Sequence, residues 1–298
     1  MSRVMPTSPT TSVMTDNSDT TATAQTEISR GERFGFGENW SRFLRIVDDE
    51  RILEAERSLR EMLGVESFEG RSFLDIGCGS GLFSLAAHRL GAAVVSFDYD
   101  EQSVACAEAL RSRYGVSGRP WTIHSGSVLD ADFMASLGVY DIVYSWGVLH
   151  HTGHMYRALE LAANRVGEGG RLFIAIYNYQ PFWSRYYTAV KRAYVGAPRV
   201  GKYVIAGAYI GLQLVRGLAY DLRKFRNPAL RYRAQKNQRG MSVFYDWIDW
   251  IGGYPFETAT PEEMVTFHQE RGFTVLRQEN SNGLACNQFV FRLRTSAA

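Results

Sequence analysis

Phe73-Leu74-Asp75-Ile76-Gly77-Cys78-Gly79-Ser80-Gly81 sets a carboxylate and three alternating glycines behind a short apolar run. Glycine is needed where the backbone takes positive φ or passes close to a ligand, so Gly77, Gly79 and Gly81 mark a tight turn that admits a small molecule. The spacing is one residue short of the dinucleotide fingerprint. Asp75, just before the first glycine, would repel a pyrophosphate lying on a helix N-terminus. A cation suits that carboxylate better, such as the amino group of S-adenosylmethionine. Twenty-three residues later Asp98 ends a second apolar run, Ala93–Asp98, where an acid can accept hydrogen bonds from ribose hydroxyls.

A second group of reactive side chains lies in Trp146-Gly147-Val148-Leu149-His150-His151-Thr152-Gly153-His154. An unperturbed imidazole titrates near neutrality, so His151 suits removal of a proton from a phenol or sugar hydroxyl. A packing role beneath a cofactor is the competing reading of the same residue, and His150 is the lesser candidate. His150, His151 and His154 do not make a metal site, because neighbours on one helix diverge and no carboxylate accompanies them. No metal is expected.

These residues need a scaffold that gathers strand ends. Phe73–Ile76, Ala93–Asp98, Tyr140–Trp146 and Arg171–Tyr177 read as buried strands. Leu82–Leu90 and Met155–Val166 read as helices between them, and Gly167–Gly170 as a turn. The alternation predicts an α/β fold, a doubly wound Rossmann-like sheet whose ligands sit at the carboxyl ends of the strands. Thr260–Glu270 reads as a helix with Thr260 as N-cap and Pro261 at its first position. Phe273–Gln278 and Gln288–Arg294 follow as a hairpin through Asn280–Gly283, giving an antiparallel last strand. Tyr177 and Asn178 end the fifth strand and should face the crevice.

On Leu74–Gly81, Asp98 and this element order the chain resembles class I S-adenosylmethionine-dependent methyltransferases, over roughly residues 35–178 with a matching end at 259–293. The Leu-His-His segment and the inserted cap look most like the group around polyprenyl-benzoquinol methylases. The resemblance implies that Asp75, Gly77, Gly79 and Gly81 hold the methionine end, with Cys78 as a small wall residue. It places Asp98 on the ribose and Tyr99 on the adenine face, with Ser127, Val128 and Ser145 lining the cofactor. Many relatives carry an acid at the position of Ser127, which weakens that one contact. It implies His151, with His150, for catalysis, and sets Asn287 in a segment resembling a loop beside the active site; Tyr177 and Asn178 at the strand end read as base or substrate partners, and Tyr245, Asp246 and Asp249 as a substrate wall. Packing on one helix face competes as the reading of Tyr245–Trp250.

The 298 residues carry 33 Lys and Arg against 31 Asp and Glu. The near-balance hides a split, because 183–240 holds thirteen basic residues and only Asp221 as an acid. Four segments follow: a disordered tail over 1–30, a cofactor-binding core over 31–178, a basic helical cap over 179–258 and the end of the core sheet over 259–298. The tail is rich in Ser and Thr, with few large apolar residues, and lacks the apolar core of a secretory signal. Arg33–Trp40 opens the folded part ahead of an amphipathic run, Phe43–Leu63. Cys78, Cys106 and Cys286 show no framework spacing, which predicts a reducing, cytoplasmic setting.

Ser184–Val195 reads as a basic amphipathic helix. Tyr203–Leu222 is mostly apolar between Arg199 and Lys202 on one side and Arg223, Lys224 and Arg226 on the other. Three readings stay open for it: a membrane span, a helix lying on the inner face of an anionic membrane, and a helix packed over the site or against a second copy of the chain. Arg216 and three glycines count against the span. The expected function is O-methylation of a small-molecule, lipid-like or sugar-bearing acceptor. RNA methylation through the basic insertion and a non-catalytic cofactor-binding lipid or partner module are the alternatives, and no RNA-module motif supports a nucleic-acid partner.

Overall fold

Successive residues of each central strand point to opposite faces, and here both faces are apolar, which is the pattern of a parallel sheet covered on both sides. The computed structural model describes residues 24–30, 47–224 and 251–295, and positions 32, 33, 35, 40, 44, 247 and 250. Its strands are β1 (Ser72–Ile76), β2 (Ala93–Asp98), β3 (Trp121–Ser125), β4 (Tyr140–Trp146), β5 (Val166–Tyr177), β6 (Phe273–Glu279) and β7 (Cys286–Leu293). They form one sheet in the order β3-β2-β1-β4-β5-β7-β6. The first five are parallel, and β7 runs antiparallel to β5 and β6.

The helices are α1 (Ala24–Arg30), α2 (Asp49–Leu63), α3 (Leu82–Arg89), α4 (Glu101–Tyr114), α5 (Ala131–Ser136), α6 (Met155–Ala163), α7 (Pro181–Gly196), α8 (Arg199–Arg223) and α9 (Pro261–Gln269), with a 3₁₀ turn over Leu149–His151. Phe73, Ile142, Tyr144 and Phe173 meet Ile52 and Leu59 of α2 and Leu85 of α3 on one face of the sheet. Leu74, Ile76, Val143, Leu172 and Ile174 meet Ala158 and Leu159 of α6 on the other. Each large apolar side chain removed from water there contributes about 1.5–3 kcal/mol. A third, separate cluster holds the cap: Tyr187 and Tyr194 of α7, Tyr209 of α8, Ile251 and Phe256.

Local chemistry fixes the helix ends. The Asp48 carboxylate accepts from Arg51 N to start α2, and Gly64 ends it in the left-handed region. Thr260 and Glu263 cap α9 reciprocally.

The seven-stranded sheet is the expected α/β class, with several boundaries moved. Residues 24–30, read as tail, are helical, and Glu27 there pairs with Arg33. The glycine run 167–170 belongs to β5 rather than to a turn: Val166 pairs with Tyr140, and the register shifts before Arg171 meets Ile142. Small residues let the strand carry that irregularity. Within the run Phe43–Leu63 the helix starts at Asp49, because Asp48 caps it. The cap helices begin three and four residues before the predicted spans and end one residue beyond them.

Candidate active site

The chain turns as soon as β1 ends. Gly77 N and Cys78 N both donate to Phe97 O of β2, at 2.9 and 3.0 Å, and Gly81 N closes the turn onto Cys78 O at 2.8 Å. Gly77 has φ +74°, and a Cβ there would come within 2.4 Å of Val148 Cγ1. Gly79 has φ +53°, and a Cβ would lie 2.8 Å from the indole of Trp40. Neither position accepts a side chain. The turn is therefore roofed by Trp40 and abuts the segment that carries the two histidines.

Two carboxylates flank this turn. Asp75 is buried, and its Oδ2 accepts from Ser84 Oγ of α3 at 2.5 Å. Burial pushes its pKa up to about 7, against the pull of the Ser84 hydrogen bond and with a further push from Asp98. Asp98 accepts from Gly79 N and Asp100 N, both at 2.9 Å. Burial raises it to about 6, opposed by those backbone donors. Acids held this high gain from a cation or from hydroxyl donors. The group fits: a cradle that any Cβ would fill, with two desolvated carboxylates beside it, suits the ammonium and ribose of S-adenosylmethionine. Burial, helped by Asp98 and Asp75, drives the Cys78 thiol well above its usual range, so it stands there as a small neutral group.

Arg33 joins the two ends of the crevice. Its Nε pairs with Glu27 Oε2 at 2.7 Å, its guanidinium stands 5.1 Å from the centroid of the Tyr99 ring, and its Nη1 donates to His151 O at 2.9 Å. Gly126 N donates to Asp98 O at 3.0 Å, which brings the end of β3 beside Asp98. Ser127 Oγ accepts from Leu129 N at 3.2 Å, and Val128 lies in the core. Ser145, fully buried, donates to Ile76 O at 2.9 Å and so ties β4 to β1.

His150 and His151 follow β4 in the 3₁₀ turn. His151 Nδ1 lies 2.6 Å from Pro255 O, so it carries the hydrogen and donates it. Burial, with the Lys191 charge, lowers this imidazole to about 3. His150 is fully buried, and among the described residues neither ring nitrogen makes a well-formed hydrogen bond. Burial, then the His151 and Lys191 charges, depress it well below the ordinary histidine value. The Tyr177 ring packs 4.1 Å from His150 and 5.6 Å from His151, with Phe256 at 5.0 Å and Trp250 at 5.4 Å behind it.

The predicted substrate residues lie apart from this cluster or beyond the described residues. Asn178 Nδ2 donates to Ser281 O and Gly283 O, at 3.3 and 3.1 Å. Asn287 Oδ1 accepts from Ser281 N at 2.9 Å, so both side chains hold the β6–β7 connection. Tyr245, Asp246 and Asp249 lie outside the described residues; Trp247 and Trp250 beside them pack in the cap cluster.

Ser84 and Lys191 stand outside the site residues that the sequence singles out, and Arg33 and Trp40 enter it only as the ends of a segment that could hinge over the cofactor or staple the first helix to the sheet. Lys191 shares the spacing of Ser184, Tyr187 and Tyr194, the buried face of α7.

A family model described as a methyltransferase domain matches residues 47–239. A ubiquinone biosynthesis O-methyltransferase of Caulobacter vibrioides is 31% identical over 160 residues, 53% of this chain and 58% of the relative. One from Parvibaculum lavamentivorans is 36% identical over 117 residues, 38% of this chain and 43% of the relative. The chain thus spans about half the length of the curated relatives it matches. Among solved structures, the magnesium protoporphyrin IX methyltransferase of Synechocystis PCC 6803 with bound SAH superposes with a TM-score of 0.53 at 14% identity, covering 89% of this chain and 98% of that one; this is a likeness of fold. With the family match extending over well more than half of its length, the chain belongs to the methyltransferase-domain family, whose methyl donor is S-adenosylmethionine.

Proposed function

We propose that this protein transfers a methyl group from S-adenosylmethionine to an oxygen of a small, lipid-like or sugar-bearing acceptor. The observation that carries this reading is the contact between the glycine turn and the histidine segment, with Val148 filling the space a Gly77 side chain would need. Methyl donor and candidate base then meet at one point of the crevice. Bound there, S-adenosylmethionine supplies a methyl group already activated by its sulfonium, and the protein mainly has to align the acceptor with it.

His151 is the residue proposed to receive the acceptor's proton. With the Nδ1 hydrogen donated to Pro255 O, its basic lone pair is on Nε2. Burial keeps the imidazole unprotonated at ordinary pH. An oxygen that gains a methyl group becomes strongly acidic, so a base of low pKa suffices. Asp98 and Asp75 hold the ribose and amino groups of the cofactor, and Tyr177 walls the acceptor side.

Oxygen as the accepting atom is supported by the relatives, which are named O-methyltransferases of ubiquinone biosynthesis. A lipid-like acceptor is supported by α8. Val200, Tyr203, Val204, Val215 and Leu222 are exposed along it, between Arg199 and Lys202 at one end and Arg223 and Lys224 at the other. Such a helix can lie in an anionic bilayer surface with its cations at the headgroups. No helix among the described residues is long and apolar enough to cross a membrane. The reading is a cytoplasmic protein resting peripherally on the inner membrane face through 183–240.

The test is incubation with methyl-labelled S-adenosylmethionine and matched phenolic, glycosidic and amine acceptors, with and without vesicles containing phosphatidylglycerol. O-methyl products, formed faster from lipid-tailed acceptors on vesicles, are expected. Methylation of nitrogen acceptors or of bulk RNA, with none on oxygen, would contradict the proposal.

A further inference from the structure

Arg33 comes to the crevice from outside the sheet, beside the short helix α1, and meets groups from three separate parts of the chain. Its Nε pairs with Glu27 Oε2 at 2.7 Å, and the two side chains are only 22% and 25% exposed, so this is more than a surface ion pair. Its guanidinium carbon stands 5.1 Å from the centroid of the Tyr99 ring, just past the end of β2. Its Nη1 donates to His151 O at 2.9 Å, 118 residues along the chain. Glu32 N donates to Glu27 O at 2.9 Å, and that bond turns the chain back from α1 to bring Arg33 into place.

The carbonyl that Arg33 takes closes the 3₁₀ turn Leu149–His151, where the last carbonyls lack partners inside the turn. The rest of that turn is held from the cap. Glu257 N donates to His150 O at 2.9 Å, and the His151 ring donates to Pro255 O at 2.6 Å. Arg33 supplies the hold from the cofactor side, on the backbone of the residue whose ring the cap fixes. The three contacts use three properties of a guanidinium: its charge toward Glu27, its flat face toward Tyr99 and its directed fork of donors toward the carbonyl. A lysine ammonium has the first alone.

An in-line transfer loses rate steeply when its groups stand a fraction of an ångström out of place. The near end of the crevice is set by Val148 against Gly77. Its far end, from Tyr99 to the histidine turn, is spanned by this one side chain.

We propose that Arg33 is a positioning residue for methyl transfer: its guanidinium, laid on the Tyr99 ring and bonded to His151 O, holds the histidine turn in register with the adenine end of the cofactor site. This rests on the readings of Tyr99 as the adenine face and of His151 as the proton acceptor. No bond to Arg33 forms or breaks, and its role does not depend on the protonation of His151.

The experiment follows the Thr152 amide, whose nitrogen shares a peptide group with His151 O, by NMR on protein labelled at its amide nitrogens. The probe is adenosine, which fills the adenine and ribose end alone. Wild type is compared with Arg33→Met, Arg33→Lys and Glu27→Gln, and kcat is measured on each. In wild type the Thr152 signal should move as adenosine binds. In Arg33→Met and Arg33→Lys it should stay in place at saturating adenosine, and kcat should fall about tenfold with KM for the acceptor unchanged. Glu27→Gln, which leaves the guanidinium its ring and its carbonyl, should fall between these and wild type. A Thr152 signal that responds equally with and without Arg33 would overturn the proposal. So would wild-type kcat in Arg33→Lys, because charge alone would then suffice. If His151→Gln turns over like wild type, the base reading has failed and the role of Arg33 in transfer falls with it, whereas a Thr152 signal fixed in wild type removes the linkage and leaves the base reading standing.

Discussion

The two walls of the crevice solve opposite problems. At the ends of β1 and β2 the polar groups are numerous and each is answered locally: Asp98 by Gly79 N and Asp100 N, Asp75 by Ser84, the turn by Phe97 O. On the cap side the groups are aromatic, and the Lys191 amine and the His150 imidazole are buried beside them, with His151 half-buried. The first wall presents carboxylates that suit a positive charge, and burial in the second favours the neutral forms of its amine and imidazoles. The proposed reaction, a positively charged methyl donor meeting a neutral hydroxyl acceptor, would use that asymmetry.

The most damaging way to break the comparison is at its cap side. His151→Gln should lower kcat by about 100-fold or more while cofactor affinity stays near wild type, read by steady-state kinetics beside calorimetry. Next is the opposite wall. Asp98→Ala should weaken S-adenosylmethionine binding by about 100-fold with far-UV circular dichroism unchanged, and wild-type affinity in that variant would refute the ribose assignment. At the outer face of the cap, Val204→Glu should reduce flotation with anionic vesicles by about tenfold and leave turnover of a soluble acceptor unaffected. Loss of self-association instead would assign that face to a second copy of the chain.

The smallest effect sharpens the carboxylate side through pH. Asp75 is raised from 3.8 to about 7, so in the empty protein its burial favours the protonated form, and stability falls as pH rises across that window. A cation binds only the ionised form. Affinity for S-adenosylmethionine should therefore increase with pH and level off above about 7, by about threefold between pH 6.5 and 7.5, with proton release measurable from the buffer dependence of the binding heat. An affinity that falls with rising pH would contradict the placing of the cofactor's amino group at Asp75.

The first wall was legible in the sequence because its signals are local. An apolar run, alternating glycines and a carboxylate at the end of the next strand lie within Phe73–Asp98, and parallel pairing of adjacent strands brings them together. The Leu-His-His segment was legible for the same reason, as the residues just past a strand. The second wall was not legible, because its meaning comes from partners far along the chain. Lys191 reads as one more cation of a basic stretch until Trp250 and Phe256 enclose it. Arg33 reaches the His151 carbonyl across more than a hundred residues. Asn178, Asn287 and Ser145 stand at strand ends as expected, but hydrogen bonds to other strands and loops occupy their side chains, and strand position says nothing of that. The start of β5 was missed because glycines signal a turn locally, while pairing with β4 extends the strand through them.

The most direct test of the central claim is calorimetric titration of the purified chain with S-adenosylmethionine and with S-adenosylhomocysteine. Binding of both with dissociation constants of micromolar order, and release of a proton with each because both carry the amino group assigned to Asp75, is the predicted result. Absence of binding heat with either ligand, in protein shown by circular dichroism to be folded, would contradict the account.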